Sequence, residues 1–246
     1  MILCAGEGTR LLPLTLATPK PMLPIAGRPM LEYTLAWLKY HSITQIAINL
    51  YHCPRVVMQH FADGSAFGVN ITYSLEDRLL GTAGGVKNIS RFFDGAFIVV
   101  YGDVLTDLDL ESFIEYHLTV CRNQTHLSMM LYRVPNPCEC GVACVDEDGR
   151  VNYFVEKPAQ QDVCTDLVSS GVLMLDREIL QFIPEGRPYD FGKDLFPRLL
   201  QEGVPVYGRL LPDDSYLLDI GTPEKFAQAQ RDWPTPKAYR FIKRHR

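Results

Sequence analysis

Short apolar runs alternate with amphipathic stretches through the first hundred residues of this 246-residue chain. Met1 to Cys4 reads as a short buried strand. A long loop rich in Pro and Gly follows, from Gly6 to Pro29. Leu31, Leu35 and Leu38 then mark one face of a helix of about three turns, with Pro29 suited to its first turn. Gln45 to Leu50 predicts a strand, Pro54 to Phe61 a helix, and Val69 to Ser74 an alternating strand. Gly81 to Gly85 reads as a second glycine-rich loop, followed by a helix towards Phe93. Ala96 to Tyr101 is an apolar strand that ends at Gly102-Asp103.

The second half has a different rhythm. Glu111 to Val120 predicts a helix. Val142 to Val145 and Val151 to Val155 flank Asp146-Glu147-Asp148-Gly149, a good hairpin turn. Val168 to Leu175 is a strand. Helices follow near Leu180, over Leu195 to Gln201 and over Glu224 to Asp232, with Trp37 and Trp233 at helix-packing positions. Repeated strand–helix units predict an α/β fold with a mainly parallel sheet and helices on both faces. Ligands of such sheets bind beyond the carboxyl ends of the strands. Both glycine-rich loops and Asp103 fall at such ends.

Composition narrows the function classes. The apolar fraction is 47% and the charged fraction 22%, ordinary for a globular protein. The net charge is 24 − 29 = −5, which argues against a general nucleic-acid binder. No run approaches the roughly 18 apolar residues that cross a membrane. Seven scattered cysteines and a start without a signal-peptide pattern predict free thiols in a reducing cytoplasm. The sequons at Asn88 and Asn123 are then idle. The abrupt start leaves room for a few residues upstream of Met1, and the basic stretch from Lys237 to Arg246 reads as a frayed, solvated end.

Candidate chemistry begins in the first loop, Ala5-Gly6-Glu7-Gly8-Thr9-Arg10. Glycines let backbone N–H groups crowd round an anion. A dinucleotide fingerprint would need a third Gly opening a helix, and Leu11-Leu12-Pro13 stands there instead. On spacing alone, a structural glycine turn is the simpler reading. Pro19-Lys20-Pro21 brackets a lysine in an extended frame, either a surface lysine or a cation held for phosphate. Asp103, after an apolar strand, suits Mg²⁺ or a turn cap. Cys138, Cys140 and Cys144 are spaced loosely like zinc ligands but lack a nearby fourth. Asp107-Leu108-Asp109 has the D-x-D form of glycosyltransferases without the strand immediately before it.

Leu3 to Leu11, Pro13-Leu14-Thr15, Pro19 to Pro24 and Gly27-Arg28-Pro29-Met30 together resemble the opening of the sugar-nucleotide pyrophosphorylases, the nucleotidyltransferases that make NDP-sugars. The resemblance is long and gapless and extends to about Asp232. It implies a three-layer α/β/α Rossmann-like domain with a mixed, mostly parallel sheet over residues 1–232. Residues 1–107 would bind nucleotide and 108–232 sugar phosphate, with a basic tail over 233–246. Many relatives carry a C-terminal β-helix that this chain ends before.

The same resemblance implies roles. Leu3 and Ala5 to Arg10 would wrap the triphosphate, with Arg10 on its β- and γ-phosphates and Lys20 on the reacting phosphates. Glu76 and Leu80-Gly81-Thr82-Ala83-Gly84 resemble the base-recognition segment. Asp103 and Asp219, the latter in Leu218-Asp219-Ile220-Gly221-Thr222-Pro223, would hold Mg²⁺. Glu156-Lys157-Pro158 resembles the family's E-K-P motif, with Glu156 on sugar hydroxyls and Lys157 on the sugar phosphate. Gly141 and Gly171 match sugar-site glycines, and Ser169 stands where the family has Asn. Arg10, Lys20 and Lys157 would supply the catalytic charge. The implied reactants are an NTP and a sugar 1-phosphate, most like those of mannose-1-phosphate guanylyltransferases. Thymidylyl-, uridylyl- and heptose-specific relatives stay open, as do a homodimer and a non-catalytic NDP-sugar sensor.

Overall fold

The computed structural model describes residues 1–120 and 124–243, so Asn123, Cys121 and the last three residues lie outside it. In chain order, the main elements are β1 (Ile2–Leu3), α1 (Met30–Tyr40), β2 (Gln45–Leu50), α2 (Pro54–Phe61), β3 (Asn70–Leu75), α3 (Gly81–Asn88), β4 (Phe97–Tyr101), β5 (Val104–Thr106) and α4 (Leu110–Val120). Then come β6 (Leu127–Arg133), β7 (Gly141–Val145), β8 (Val151–Glu156), β9 (Leu167–Leu175), α5 (Phe196–Gln201), β10 (Val206–Leu210), β11 (Leu217–Asp219), α6 (Pro223–Asp232) and α7 (Ala238–Lys243).

The chain forms two compact units. The first comprises Met1–Leu79, Tyr101–Leu108 and the chain from Asp214 onward. The second comprises Leu80–Val100 and Asp109–Asp213. In the first unit β1, β2 and β3 run parallel, with Leu3 opposite Asn49 and Asn49 opposite Ser74. Ile46, Ala47 and Ile48 are fully buried, as a parallel strand covered on both faces requires. Helix α1 buries Leu31, Leu35 and Leu38 as expected, and Trp37 Nε1 donates to the Leu108 carbonyl at 2.7 Å. Strands β5 and β11 pair antiparallel.

The second unit is largely antiparallel. Strand β9 pairs with β4, β6 and β7, and β7 with β8; only β10 and β6 run parallel. The α/β class with a mixed sheet therefore holds, and the parallel character comes mainly from the first unit.

Four expectations need correction. Gly81–Gly85 is not a loop but the start of α3. The glycines let this helix lie backbone-to-backbone on the 187–189 segment: a Cβ on Gly81 would stand 2.6 Å from the Tyr189 carbonyl oxygen. That packing overrides the poor helix propensity of glycine. Lys20 is not extended but opens a 3₁₀ turn, closed by Met22 N–H to Pro19 O at 2.8 Å and Leu23 N–H to Lys20 O at 3.1 Å. The basic stretch is not frayed over its described part, because Ala238 and Phe241 are buried and Phe241 packs 4.8 Å from Tyr40. Finally, the cysteines are not all free. Cys144 and Cys164 form a disulfide, which also removes Cys144 from any zinc trio, while Cys4, Cys53, Cys138 and Cys140 are thiols.

Candidate active site

In the first unit the candidate residues gather at the carboxyl ends of β1 and β3 and beside the β5–β11 pair. The chain leaves β1 into the glycine loop, where Gly8 adopts a left-handed conformation (φ 66°) and caps a 3₁₀ turn over Thr9–Leu11. Thr15 Oγ1 donates to Gly8 O at 2.9 Å, and His52 Nε2 lies 2.7 Å from Thr15 O, so the loop is knitted from behind. Gly6, Glu7, Thr9 and Arg10 are exposed, and Leu3 is half-buried.

Lys20 reaches Asp103, with Nζ 2.8 Å from Oδ2, and both are half-buried. Ile220 N–H donates to Asp103 O at 2.9 Å, and Asp219 stands opposite Val104, so the two aspartates leave neighbouring strands. Lys225 pairs with Asp219 Oδ2. A Cβ on Gly221 would lie 2.7 Å from Arg10 Nη2 and 2.9 Å from Asp219 Oδ1, which places the Arg10 guanidinium beside that carboxylate. Arg10, Lys20, Asp103 and Asp219 are thus one corner. Two carboxylates there are now balanced by lysine and arginine. Such hard oxygen donors fit Mg²⁺, which takes one or two carboxylates and fills its shell with phosphate and water. Glu76 follows β3, is buried, and accepts from Asn49 Nδ2 at 2.7 Å.

The second unit holds Gly81, Thr82, Ala83, Gly141, Glu156, Lys157, Ser169 and Gly171. Thr82 Oγ1 donates to Asp190 Oδ2 at 2.8 Å and accepts from Phe191 N–H at 2.8 Å. Tyr189 N–H donates to Leu80 O at 2.8 Å and Gly84 N–H to Tyr189 O at 2.9 Å. Asp190 Oδ1 also accepts from the N–H groups of Gly192 and Lys193. The 189–193 strap therefore fixes the start of α3. Its other side lies against Glu156, because a Cβ on Gly192 would meet Glu156 Oε2 at 2.4 Å. Burial, and then the nearby Asp190 charge, push the Glu156 carboxyl above the usual glutamate range, while Lys157 and Lys193 oppose this.

Lys157 is exposed at the end of β8, in a left-handed conformation (φ 51°) tied by its N–H to Cys140 O at 2.9 Å. Non-glycine residues rarely adopt this geometry. Ser169 to Gly171 sits at a register shift in β9, with Gly171 left-handed (φ 77°). Contrary to expectation, strand β5 stands immediately before the D-x-D, but its aspartates do structural work. Asp107 is buried and accepts from Tyr216 N–H at 2.7 Å and from Thr235 Oγ1 at 2.5 Å, while Asp109 accepts from Glu111 N–H at the start of α4.

Sequence reasoning missed Asn49, Asp190, Gly192, Lys193 and Lys225. Asn49 leaves one signal, a polar residue inside the apolar run of β2. The others carry none, because their roles depend on long-range packing.

Known proteins resemble this chain along nearly all of it. The nucleotidyl transferase family profile matches residues 1–235. A UTP–glucose-1-phosphate uridylyltransferase of Synechocystis sp. is 37% identical over 94% of this chain and 62% of its own length. A mannose-1-phosphate guanylyltransferase of Mycobacterium tuberculosis is also 37% identical, over 94% and 63%. The chain thus spans under two thirds of the length of these relatives. Among solved structures, HddC from Yersinia pseudotuberculosis is 27% identical with a TM-score of 0.78, covering 94% of this chain and 97% of its own. A Bacillus anthracis protein assigned as a glucose-1-phosphate thymidylyltransferase, solved with sucrose, shares the fold at a TM-score of 0.83 and 24% identity over 97% of each chain. This chain belongs to the nucleotidyl transferase family.

Proposed function

We propose that the protein joins an NTP to a sugar 1-phosphate, giving an NDP-sugar and pyrophosphate, with GTP and mannose 1-phosphate as the pair. The observation that carries this reading is the corner of Arg10, Lys20, Asp103 and Asp219 beside an open glycine loop. Nucleotidyl transfer needs placed charge more than proton chemistry, since the attacking phosphate is already an anion. A sugar-phosphate oxygen attacks the α-phosphorus, a new P–O bond forms, and the bond to the β-phosphate oxygen breaks. Both electrons of that bond leave with pyrophosphate.

Arg10 and Lys20 neutralise the triphosphate as charge moves towards the leaving group. Asp103 and Asp219 would hold Mg²⁺, and a cation held there would supply Lewis-acid charge at the reacting phosphates. Lys157 meets the sugar phosphate, and Glu156 accepts from sugar hydroxyls next to Gly141. Gly81, Thr82 and Ala83 offer backbone groups to the base, with Glu76. Ser169 replaces an amide by a shorter hydroxyl, which makes the sugar the less constrained half of the pair. The Synechocystis relative supports a second reading, UTP with glucose 1-phosphate. No described helix is long and apolar enough to cross a membrane.

The test is pyrophosphate release across four NTPs and a panel of sugar 1-phosphates, with and without Mg²⁺. Fastest turnover is expected for GTP with mannose 1-phosphate. Tight NDP-sugar binding with no turnover for any pair would instead mark a non-catalytic sensor.

A further inference from the structure

Three polar groups stand side by side across the carboxyl ends of the parallel strands in the first unit. Cys4 follows β1, Asn49 is near the end of β2, and Glu76 follows β3; Leu3, Asn49 and Ser74 share one register line. Asn49 is 2% exposed and Glu76 7%. Cys4 N–H donates to Asn49 Oδ1 at 2.9 Å, and Asn49 Nδ2 donates to Glu76 Oε1 at 2.7 Å.

The order of these bonds is fixed by chemistry. A backbone N–H can only donate, so the oxygen of the Asn49 amide must face Cys4. Its NH₂ group must then face Glu76, which leaves no freedom to flip the amide. The Glu76 oxygen on that side is obliged to accept. Asn49 thus holds Glu76 as an acceptor in one orientation.

Bases differ in what they offer to such an acceptor. The Watson–Crick edge of guanine carries two adjacent donors, N1–H and the N2 amino group. Uracil and thymine carry one N–H between two carbonyl oxygens, which a carboxylate repels. We infer that Asn49 is a positioning residue that sets base choice, fixing Glu76 as an acceptor and thereby favouring guanine over uracil. This rests on the reading that Glu76 meets the base.

The test compares binding of GTP and of UTP by calorimetry in the wild type and in Asn49→Asp, Asn49→Ser and Glu76→Gln. Asn49→Asp keeps the size and the acceptor for Cys4 N–H but replaces the donor facing Glu76 by an oxygen. Two carboxylates at that distance must share a proton, so Glu76 ceases to be a fixed acceptor. The preference for GTP over UTP should fall at least tenfold in the Asp variant, while the apparent KM for sugar 1-phosphate stays unchanged. Asn49→Ser adds no charge and leaves a hydroxyl one bond too short to span from Cys4 to Glu76, so it gives the same reading if the Asp variant does not fold.

A wild type that binds UTP as tightly as GTP would overturn the inference. So would an unchanged preference in folded Asn49 variants when Glu76→Gln alters it. If Glu76→Gln itself leaves both affinities unchanged, the reading of Glu76 as a base contact fails with it. Selective GTP binding without pyrophosphate release would sink the catalytic reading alone and leave the role of Asn49 supported.

Discussion

The corner in the first unit and the strap in the second hold their candidate residues by opposite means. Lys20 with Asp103, and Asp219 with Lys225, are held by ion pairs at half-buried positions, and Arg10 stands exposed beside Asp219. Around Thr82, Asp190 and Glu156 the links are hydrogen bonds to backbone and close backbone packing. Partly exposed ion pairs contribute little to stability and are screened by salt. Such pairs can exchange partners when phosphates arrive, at little cost to the fold. The strap's hydrogen bonds, mostly to backbone and backed by close packing, are not exchangeable in this way. The corner therefore carries charge, and the strap carries shape.

The largest expected effect breaks the comparison at the corner. Asp103→Asn should lower turnover by about 10³-fold, the scale of losing a placed charge in a transfer site. Its melting temperature should stay near that of the wild type, because the Lys20 pair it breaks is half-exposed. Steady-state kinetics and thermal melting check both halves, and a large loss of stability would show that the corner is structural. The next effect lies in the second unit. Cys144 and Cys164 are 20 residues apart in sequence, and the span between them contains Glu156 and Lys157. Cys144→Ser should cost about 3 kcal/mol in denaturant unfolding, the loop-closure scale for that length. Reductant should destabilise the wild type equally and leave Cys144→Ser unaffected.

Asp190→Ala sharpens the comparison. It removes the acceptor for Thr82 Oγ1 and for the N–H groups of Gly192 and Lys193. A loss of about 1–2 kcal/mol in stability is expected, with a raised KM for NTP. Stability and function should fall together here, in contrast to Asp103→Asn. A fourth, smaller effect follows from charge. Burial and Asp190 raise the Glu156 pKa, so on acidification Glu156 loses its ionised, accepting form earlier than an ordinary glutamate. The KM for sugar 1-phosphate should rise as pH falls through that raised value. Asp190→Asn removes the like charge, lowers the Glu156 pKa and should move this limb to lower pH. An unmoved limb would assign it to another group.

The corner was legible in the sequence because its residues lie in contiguous motifs, Ala5 to Arg10, Pro19 to Pro21, Gly102-Asp103 and Leu218 to Pro223. Strand ends and turns position such residues locally. Strands β2 and β9, and the helices α1 and α2, were likewise marked by periodicity. The strap was not legible. Gly81 to Gly85 has the composition of a loop, and only the backbone of 187–189, a hundred residues on, makes it a helix. Strands β6 and β10 were missed because their burial comes from pairing with each other and with β9. The disulfide was missed because cysteine spacing does not reveal which two sulfurs meet in space.

The smallest effect on stability belongs to Gly6, and it separates the two kinds of glycine in the corner's own loop. Gly8 is required by the fold: its φ is 66°, and a Cβ there would stand 2.9 Å from Thr15 Cγ2. Gly8→Ala should cost about 1–2 kcal/mol for the left-handed backbone alone. Gly6 has no positive φ, and a Cβ built on it meets nothing within 4 Å. Gly6→Ala should therefore change stability by less than about 0.5 kcal/mol. Nothing among the described residues demands a glycine at that position. If the backbone N–H groups of Ala5 to Arg10 close on a triphosphate, the added methyl group intrudes on the space the phosphates need. The KM for NTP should then rise severalfold in Gly6→Ala while the melting curve overlays the wild type. An unchanged KM would mean that the phosphates do not approach the loop at Gly6, and would shift the weight of phosphate binding onto Arg10 and Lys20.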